Sequence, residues 1–410
     1  MRTYLNLRES EEALMNHTTS QLAALRGEAV GGIPFAPRLD LWYIANRARG
    51  TLPPSLRDLD LPRLARALGV TCHAFKADLT LPRPPEDYAL LGFGLENHEH
   101  FPFRFVWDDL NLRYTADAGR MITTVATPAG ELRVEMKYTE PMLRDGISMP
   151  LVNRYPLQTA ADIEALCHVF DRIQVLPTPE GFHRFANHVG DTGRPIASGM
   201  PAASPMHLIL HNLTAMDTFW FLYVDEREAL ERLATAIDRV YRATLEATLA
   251  CAAKVFYWGS NYDQRVTHPP FFKTALLPWL THAAEQAHAA DKLLLTHADG
   301  DNGPLLELFA AARVDVLESV CTEPMIPIRM DALRQRTGEH CALWGGIPSV
   351  VLLPDQYTDT AFNRFLDDFF AQLGDGRKLV LGVSDNVPPD ADLGRLETIQ
   401  ARCQSFSVGS

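Results

Sequence analysis

The residues in this chain best suited to chemistry sit in Leu294-Leu295-Thr296-His297-Ala298-Asp299-Gly300-Asp301-Asn302-Gly303. An apolar run, Leu293 to Leu295, leads into a histidine, then an aspartate, then a glycine-rich turn, with a helical pattern over 304–312. Alternate residues of an extended chain point the same way, so His297 and Asp299 can converge on one ion or one substrate atom. In parallel sheets, open or closed, the C-terminal ends of the strands face the ligand crevice.

Other apolar runs end in the same manner. Val255-Phe256-Tyr257-Trp258 leads to Gly259-Ser260-Asn261-Tyr262-Asp263. Val314-Asp315-Val316-Leu317 leads to Glu318, and Leu379-Val380-Leu381-Gly382-Val383 to Ser384-Asp385-Asn386. One site would then hold Asn261, Asp263, His297, Asp299, Glu318 and Asp385. A histidine among several carboxylates suits a divalent metal, zinc included. The same set could do general acid/base work without metal. Each residue also has a plainer reading. Asp385-Asn386 before prolines is ordinary turn chemistry, Glu318 could pair with Arg329, and a lone His297 is more often internal than a ligand.

The elements that must position these groups alternate along the chain. Strands are expected over 195–198, 255–258, 292–296, 314–319, 342–345 and 379–383, with helices over 226–253, 271–290 and 360–373. An earlier strand is expected within Ile33 to Trp42, a helix over about 8–28 and a short one over 61–68. This rhythm argues a parallel sheet with helices outside, and an eight-stranded (β/α)8 TIM-like barrel before a doubly wound open sheet. No GxGxxG or GxxxxGK[ST] loop follows a strand, so nucleotide binding has no support. Residues 101–140 read differently. Met121 to Ala126 and Glu131 to Met136, joined by Thr127-Pro128-Ala129-Gly130, form a β-hairpin or small meander inserted into one 1–410 domain. It would cover one end of the main sheet or mediate a homodimer contact.

The chain has 410 residues and a formal net charge of −13. Without a cluster of Lys and Arg, such a chain is a poor partner for nucleic acid or anionic membrane. No apolar run reaches a membrane span and the N-terminal residues lack a signal-peptide pattern, so a cytoplasmic location is expected. The six cysteines are scattered without a CxxC pair and read as reduced thiols. His98 and His100 lie before the β insertion and are expected in a solvated loop. His207 and His211 are four apart on an expected helix with no acidic residue between them, which points to packing or substrate contact.

The chain resembles the uroporphyrinogen decarboxylase superfamily. The resemblance begins with Gly32-Ile33-Pro34-Phe35-Ala36-Pro37-Arg38-Leu39-Asp40-Leu41-Trp42 and continues through Thr127-Pro128-Ala129-Gly130 and Tyr155 to Ile163. It is strongest in Trp258 to Asp263, His297-Ala298-Asp299-Gly300, Gly345-Gly346-Ile347 and Ser384 to Asp390. It implies a β/α barrel and either carboxylyase chemistry or methyl transfer to or from a corrinoid cofactor (cobalamin) carried by a partner protein.

In the zinc-dependent methyltransferases of that superfamily, a His-x-Cys-Gly segment and a later Cys hold the metal. Here His297 matches the histidine, Asp299 stands at the first Cys position and Asp385 approximately at the second. The decarboxylase's Met-Arg-Gln-Ala-Gly-Arg segment is replaced by Ile44-Ala45-Asn46-Arg47-Ala48-Arg49-Gly50. The resemblance therefore implies a metal-dependent methyltransferase acting on a small, for example methoxylated, substrate. His297, Asp299, Glu318 and Asp385 would hold a divalent metal, with His297 and Asp263 catalytic and Asn261 and Tyr262 at the substrate. The first alternative is a lyase on a small non-porphyrin acid, with Arg38, Arg47 or Arg49 anchoring its carboxylate. The second is a barrel that binds a small molecule without turnover.

Overall fold

The computed structural model describes residues 17–75 and 84–409. Its five apolar runs in the second half form β7 (Val255–Ser260), β8 (Leu293–His297), β9 (Val316–Val320), β10 (Ala342–Pro348) and β11 (Leu379–Ser384); six earlier strands precede them. These five make one parallel sheet in the order β11-β10-β9-β8-β7. Nearly every residue of them is buried, as a parallel sheet covered on both faces requires. Helices Arg227–Ala250, Leu277–Ala289, Leu306–Ala311, Met330–Thr337 and Asp359–Phe370 alternate with the strands.

The two faces of the sheet pack differently. Val255, Tyr257, Leu295, Val316, Ala342, Trp344 and Val380 form an inner layer with Ala36, Phe75 and Ile196. Phe256, Trp258, Leu294, Leu317, Leu343 and Leu381 face the outer core beneath the helices. Alternate residues of one strand thus serve two cores. Helix His17–Arg26 closes the inner layer with Ala24 and Leu25.

The expected eight-stranded closed sheet is not formed as such: among the described residues the parallel strands number five. The expected early strand is a single bridge, Phe35 to Leu381, because helix Asp40–Arg49 takes up the rest of that segment. The strand expected over 195–198 is likewise a bridge, Ala197 to Phe256. Short extended segments nonetheless carry backbone bonds onward. Leu381 N donates to Pro34 O, Thr71 N to Phe35 O, Cys72 N to Thr192 O, Ile196 N to Ala74 O and Ala197 N to Val255 O, at 2.7–3.1 Å. The helix expected over 8–28 is present as His17–Arg26, and its first residues lie outside the described ones.

Of the hairpin or small meander the sequence suggested over 101–140, the structure forms a meander that runs on beyond residue 140. β1 (Phe103–Trp107) pairs antiparallel with β6 (Ile173–Pro177). Between them β2 (Asn111–Asp117), β3 (Arg120–Thr127), β4 (Gly130–Lys137) and β5 (Leu151–Arg154) form a four-stranded antiparallel sheet. Met121, Val125, Leu132, Val134 and Met136 form its buried face. A hairpin alone would be marginal in water; four strands with one apolar face are not.

Candidate functional site

His297, Asp299, Glu318 and Asp385 are delivered by strands β8, β9 and β11 of the parallel sheet or the loops beyond them, while His73 and Arg38 join them from the first quarter of the chain. His297 is the last residue of β8 and pairs in register with Glu318 of β9 on one side and Ser260 of β7 on the other. The Asp299-Gly300 turn follows at once. Gly300 has φ +92°, and a Cβ there would come within 2.7 Å of Tyr262 O, so glycine alone lets the two loops approach.

Glu318 is buried and bridges two imidazoles. Its Oε2 lies 2.5 Å from His297 Nδ1 and its Oε1 2.8 Å from His73 Nε2. Burial alone would raise the Glu318 carboxyl; the His297 and His73 imidazoles outweigh it and hold the group well below the carboxylate range. For His297, burial works against protonation. The Glu318 charge and hydrogen bond, with lesser help from Asp385 and Asp299, prevail and raise its pKa. Phe75 covers the His297 ring at 5.4 Å, and His73 meets Trp344 edge-on at 4.7 Å. The pair therefore rests on the inner layer of the sheet.

With Nδ1 committed to Glu318, His297 turns Nε2 toward Asp385, whose Oδ1 is 3.7 Å away, too far for a direct hydrogen bond. One ligand atom each from His297, Asp299 and Asp385 lies within 4.8 Å of the others. Arg38 aims Asp385, with Nη1 2.9 Å from Oδ1, and is itself held by Asp40 at 3.1 Å. Asn386 donates to Asp385 Oδ2 at 2.6 Å. Burial would raise the Asp385 carboxyl, but Arg38 and His297 outweigh it and lower it. For Asp299 burial outweighs the pull of the His297 imidazole and raises its pKa.

This donor set fits a divalent ion. One imidazole nitrogen and two carboxylates face one point, and a third carboxylate, Glu318, behind the imidazole fixes its tautomer in the manner of metal-site histidines. Each carboxylate oxygen keeps lone-pair capacity beyond the bonds described.

Not every sequence candidate reaches that point. Glu318 stands behind the imidazole, with both oxygens used, and its partners are histidines, not Arg329, which pairs with Asp331. Asp263 ties loops together, accepting from Arg265 N at 2.8 Å and Asp301 N at 3.2 Å. Tyr262 is fully buried, its hydroxyl 2.7 Å from Thr296 Oγ1. Asn261 is exposed beside the site, and its N–H donates to His297 O at 3.2 Å. Arg47 lies over the Tyr43 ring, and Arg49 pairs with Asp145 and Asp390, both at 2.8 Å.

His73 was not singled out from the sequence. The short run Val70-Thr71-Cys72-His73-Ala74-Phe75 after Gly69 was the available strand signal, and the tertiary contact with Glu318 reveals the role of His73. His98 and His100, expected in solvent, are buried against Phe101, Phe185 and His188.

No protein-family model matches this chain, and no curated protein does either. Among solved structures, a methyltransferase from Methanosarcina mazei is similar over 95% of this chain and 98% of that one, with a TM-score of 0.54 at 15% identity. At that identity the likeness is one of fold, and it spans both the parallel sheet and the antiparallel excursion. The chain thus has a methyltransferase-like α/β fold.

Proposed function

We propose that this protein is a metal-dependent methyltransferase that moves a methyl group between a small substrate and a corrinoid. The observation that carries the reading is the convergence of His297 Nε2, Asp299 and Asp385 at the sheet's C-terminal edge, with Glu318 locking the imidazole from behind. The fold likeness to a methyltransferase supports it. So does the run of backbone bonds from Pro34 through Thr71, Thr192 and Ile196 to Val255, which is what an irregular closed barrel requires.

In this reading His297, Asp299 and Asp385 hold a divalent ion, zinc in the first instance, which supplies Lewis acidity to the substrate heteroatom. The chain does the remainder. Glu318 and His73 keep the imidazole in one tautomer. Arg38, anchored on Asp40, sets the direction of Asp385. Phe75 excludes water from one side of the ring. Metal analysis of the purified protein tests this: about one divalent ion per chain should co-purify, and His297→Ala should abolish it. Methyl transfer to reduced cobalamin should disappear with the metal. Full activity in metal-free protein would refute the reading.

A second reading draws on the Arg38–Asp385 ion pair. Arg38 already neutralises one carboxylate, so His297 and Asp385 could exchange a proton with a small acid without metal, as in a lyase. Activity that survives chelation would favour it. In either case uroporphyrinogen should not be turned over, since Arg38, Arg47 and Arg49 are engaged by Asp385, Tyr43, Asp145 and Asp390.

A further inference from the structure

Beside the metal-type centre lies a second row of polar groups. Ser204 caps a short helix, Pro205–Leu208, that continues as one π-helical turn, Ile209–Leu213. Such turns recur at functional sites. They carry His207 and His211 toward the end of β7. Ala203 N donates to His207 Nδ1 at 3.1 Å, so the ring proton is on Nε2. That N–H is fully buried and has no partner among the described residues. Burial, with His211 beside it, holds the His207 pKa well below its ordinary value, so the ring is neutral.

The His207 and His211 rings meet edge to face at 5.7 Å. His211 Nε2 accepts from Asn261 Nδ2 at 3.1 Å, and His211 Nδ1 faces Asn212 Oδ1 at 3.3 Å. Asn261 itself has φ +57°, a left-handed conformation that asparagine tolerates better than most residues. That backbone directs the side chain toward His211 while its N–H stays bonded to His297 O. The exposed Asn261 amide is thereby fixed one strand away from His297.

We infer that Asn261, braced by His211, is the substrate-reading group of this site, and that it recognises an uncharged polar group, a hydroxyl or ether oxygen, on a small neutral substrate. The inference rests on the methyltransferase reading for the role of the neighbouring centre. The Asn261 amide is uncharged and offers hydrogen bonds, and the His207 ring behind His211 is neutral. The nearby cation, Arg38, is shared between Asp40 and Asp385. With Asp299 and Glu318 added, carboxylates outnumber cations here among the described residues, and a divalent ion at the centre would offset most of that excess. A ligand carboxylate would add uncompensated negative charge.

The test uses the zinc-loaded protein and a matched pair of probes, 2-methoxyphenol and 4-hydroxy-3-methoxybenzoate, which differ by one carboxylate. Binding is measured by calorimetry, so the result does not depend on turnover. The neutral probe should bind at least tenfold more tightly. Asn261→Gly retains the left-handed backbone and should weaken the neutral probe roughly five- to tenfold, the effect of one hydrogen bond, with zinc content unchanged. His211→Phe, which keeps a ring but removes the brace, should give a similar loss. Absence of binding to either probe, equal binding of the two, or undiminished affinity in Asn261→Gly would overturn the inference. A wild type that binds the neutral probe selectively yet transfers no methyl group would instead remove the methyltransferase reading and leave this one standing.

Discussion

Two histidine clusters in this molecule look alike in sequence and differ in what surrounds them. His73 and His297 share the buried carboxylate Glu318, and His297 has Asp299 and Asp385 in front of it. His98, His100 and His188 pack against one another and against Phe101 and Phe185, with ring centroids 5.0–5.7 Å apart, and His98 Nδ1 accepts from His100 N at 3.1 Å. The first set has its tautomer fixed by charge and a nitrogen aimed at a shared point. The second is packed chiefly through its rings. The neighbours of an imidazole, not its burial, decide whether it can do chemistry: His100 and His297 are almost equally buried, at 7% and 6% exposure.

Substitutions should separate the two clusters. The largest effect is expected for His297→Ala, which should lose bound metal and reduce activity by more than about 100-fold, beyond what a supporting residue contributes. Glu318→Gln keeps the shape but weakens the brace, and metal affinity should fall roughly 10- to 100-fold. In contrast, His100→Ala should lower stability by roughly 1–3 kcal/mol, measured by urea unfolding, and leave the metal stoichiometry unchanged. Loss of metal in His100→Ala would erase the distinction.

The pH dependence of stability sharpens it further. Glu318 and Asp385 have folded pKa values below their ordinary 4.5 and 3.8. Their contribution is present above those values and is lost as pH falls through the lowered ones. His297 is raised above 6.5, so its contribution is present below 6.5 and is lost as pH rises through the raised value. Thermal melts of chelated protein should therefore show these contributions together between pH 4.5 and 6.5. Glu318→Gln should flatten both flanks, and an unchanged profile would count against the ion pair. The smallest effect is expected at Arg49, whose pair with Asp390 is exposed and whose pair with Asp145 is half-buried. Arg49→Ala should move the melting temperature by no more than about one or two degrees and leave activity intact.

The sequence alone determined the alternation of elements and the strand ends that carry polar groups. Both are local. A fully buried strand must be a short apolar run, and residues just beyond it must satisfy the loop, so β7 to β11 and the positions of His297, Asp299, Glu318 and Asp385 were legible from pattern. The segments around Phe35 and Ala197 were less so. Each contributes one bridge, and prolines at 34, 37, 195 and 201 keep them from extending as regular strands.

Only the tertiary structure decided which polar groups share a point. Glu318 lies within β9 and Asp385 just beyond β11; one is enclosed by two imidazoles and the other is held in place by Arg38, a residue 347 positions away. His73 enters the site from a short extended segment 245 positions before Glu318, and His98 and His100 leave the solvent because Phe101, Phe185 and His188 enclose them. Such outcomes depend on contacts between residues far apart in the chain. Local periodicity does not encode them, because the energy of a buried charge or imidazole is set by its neighbours in space.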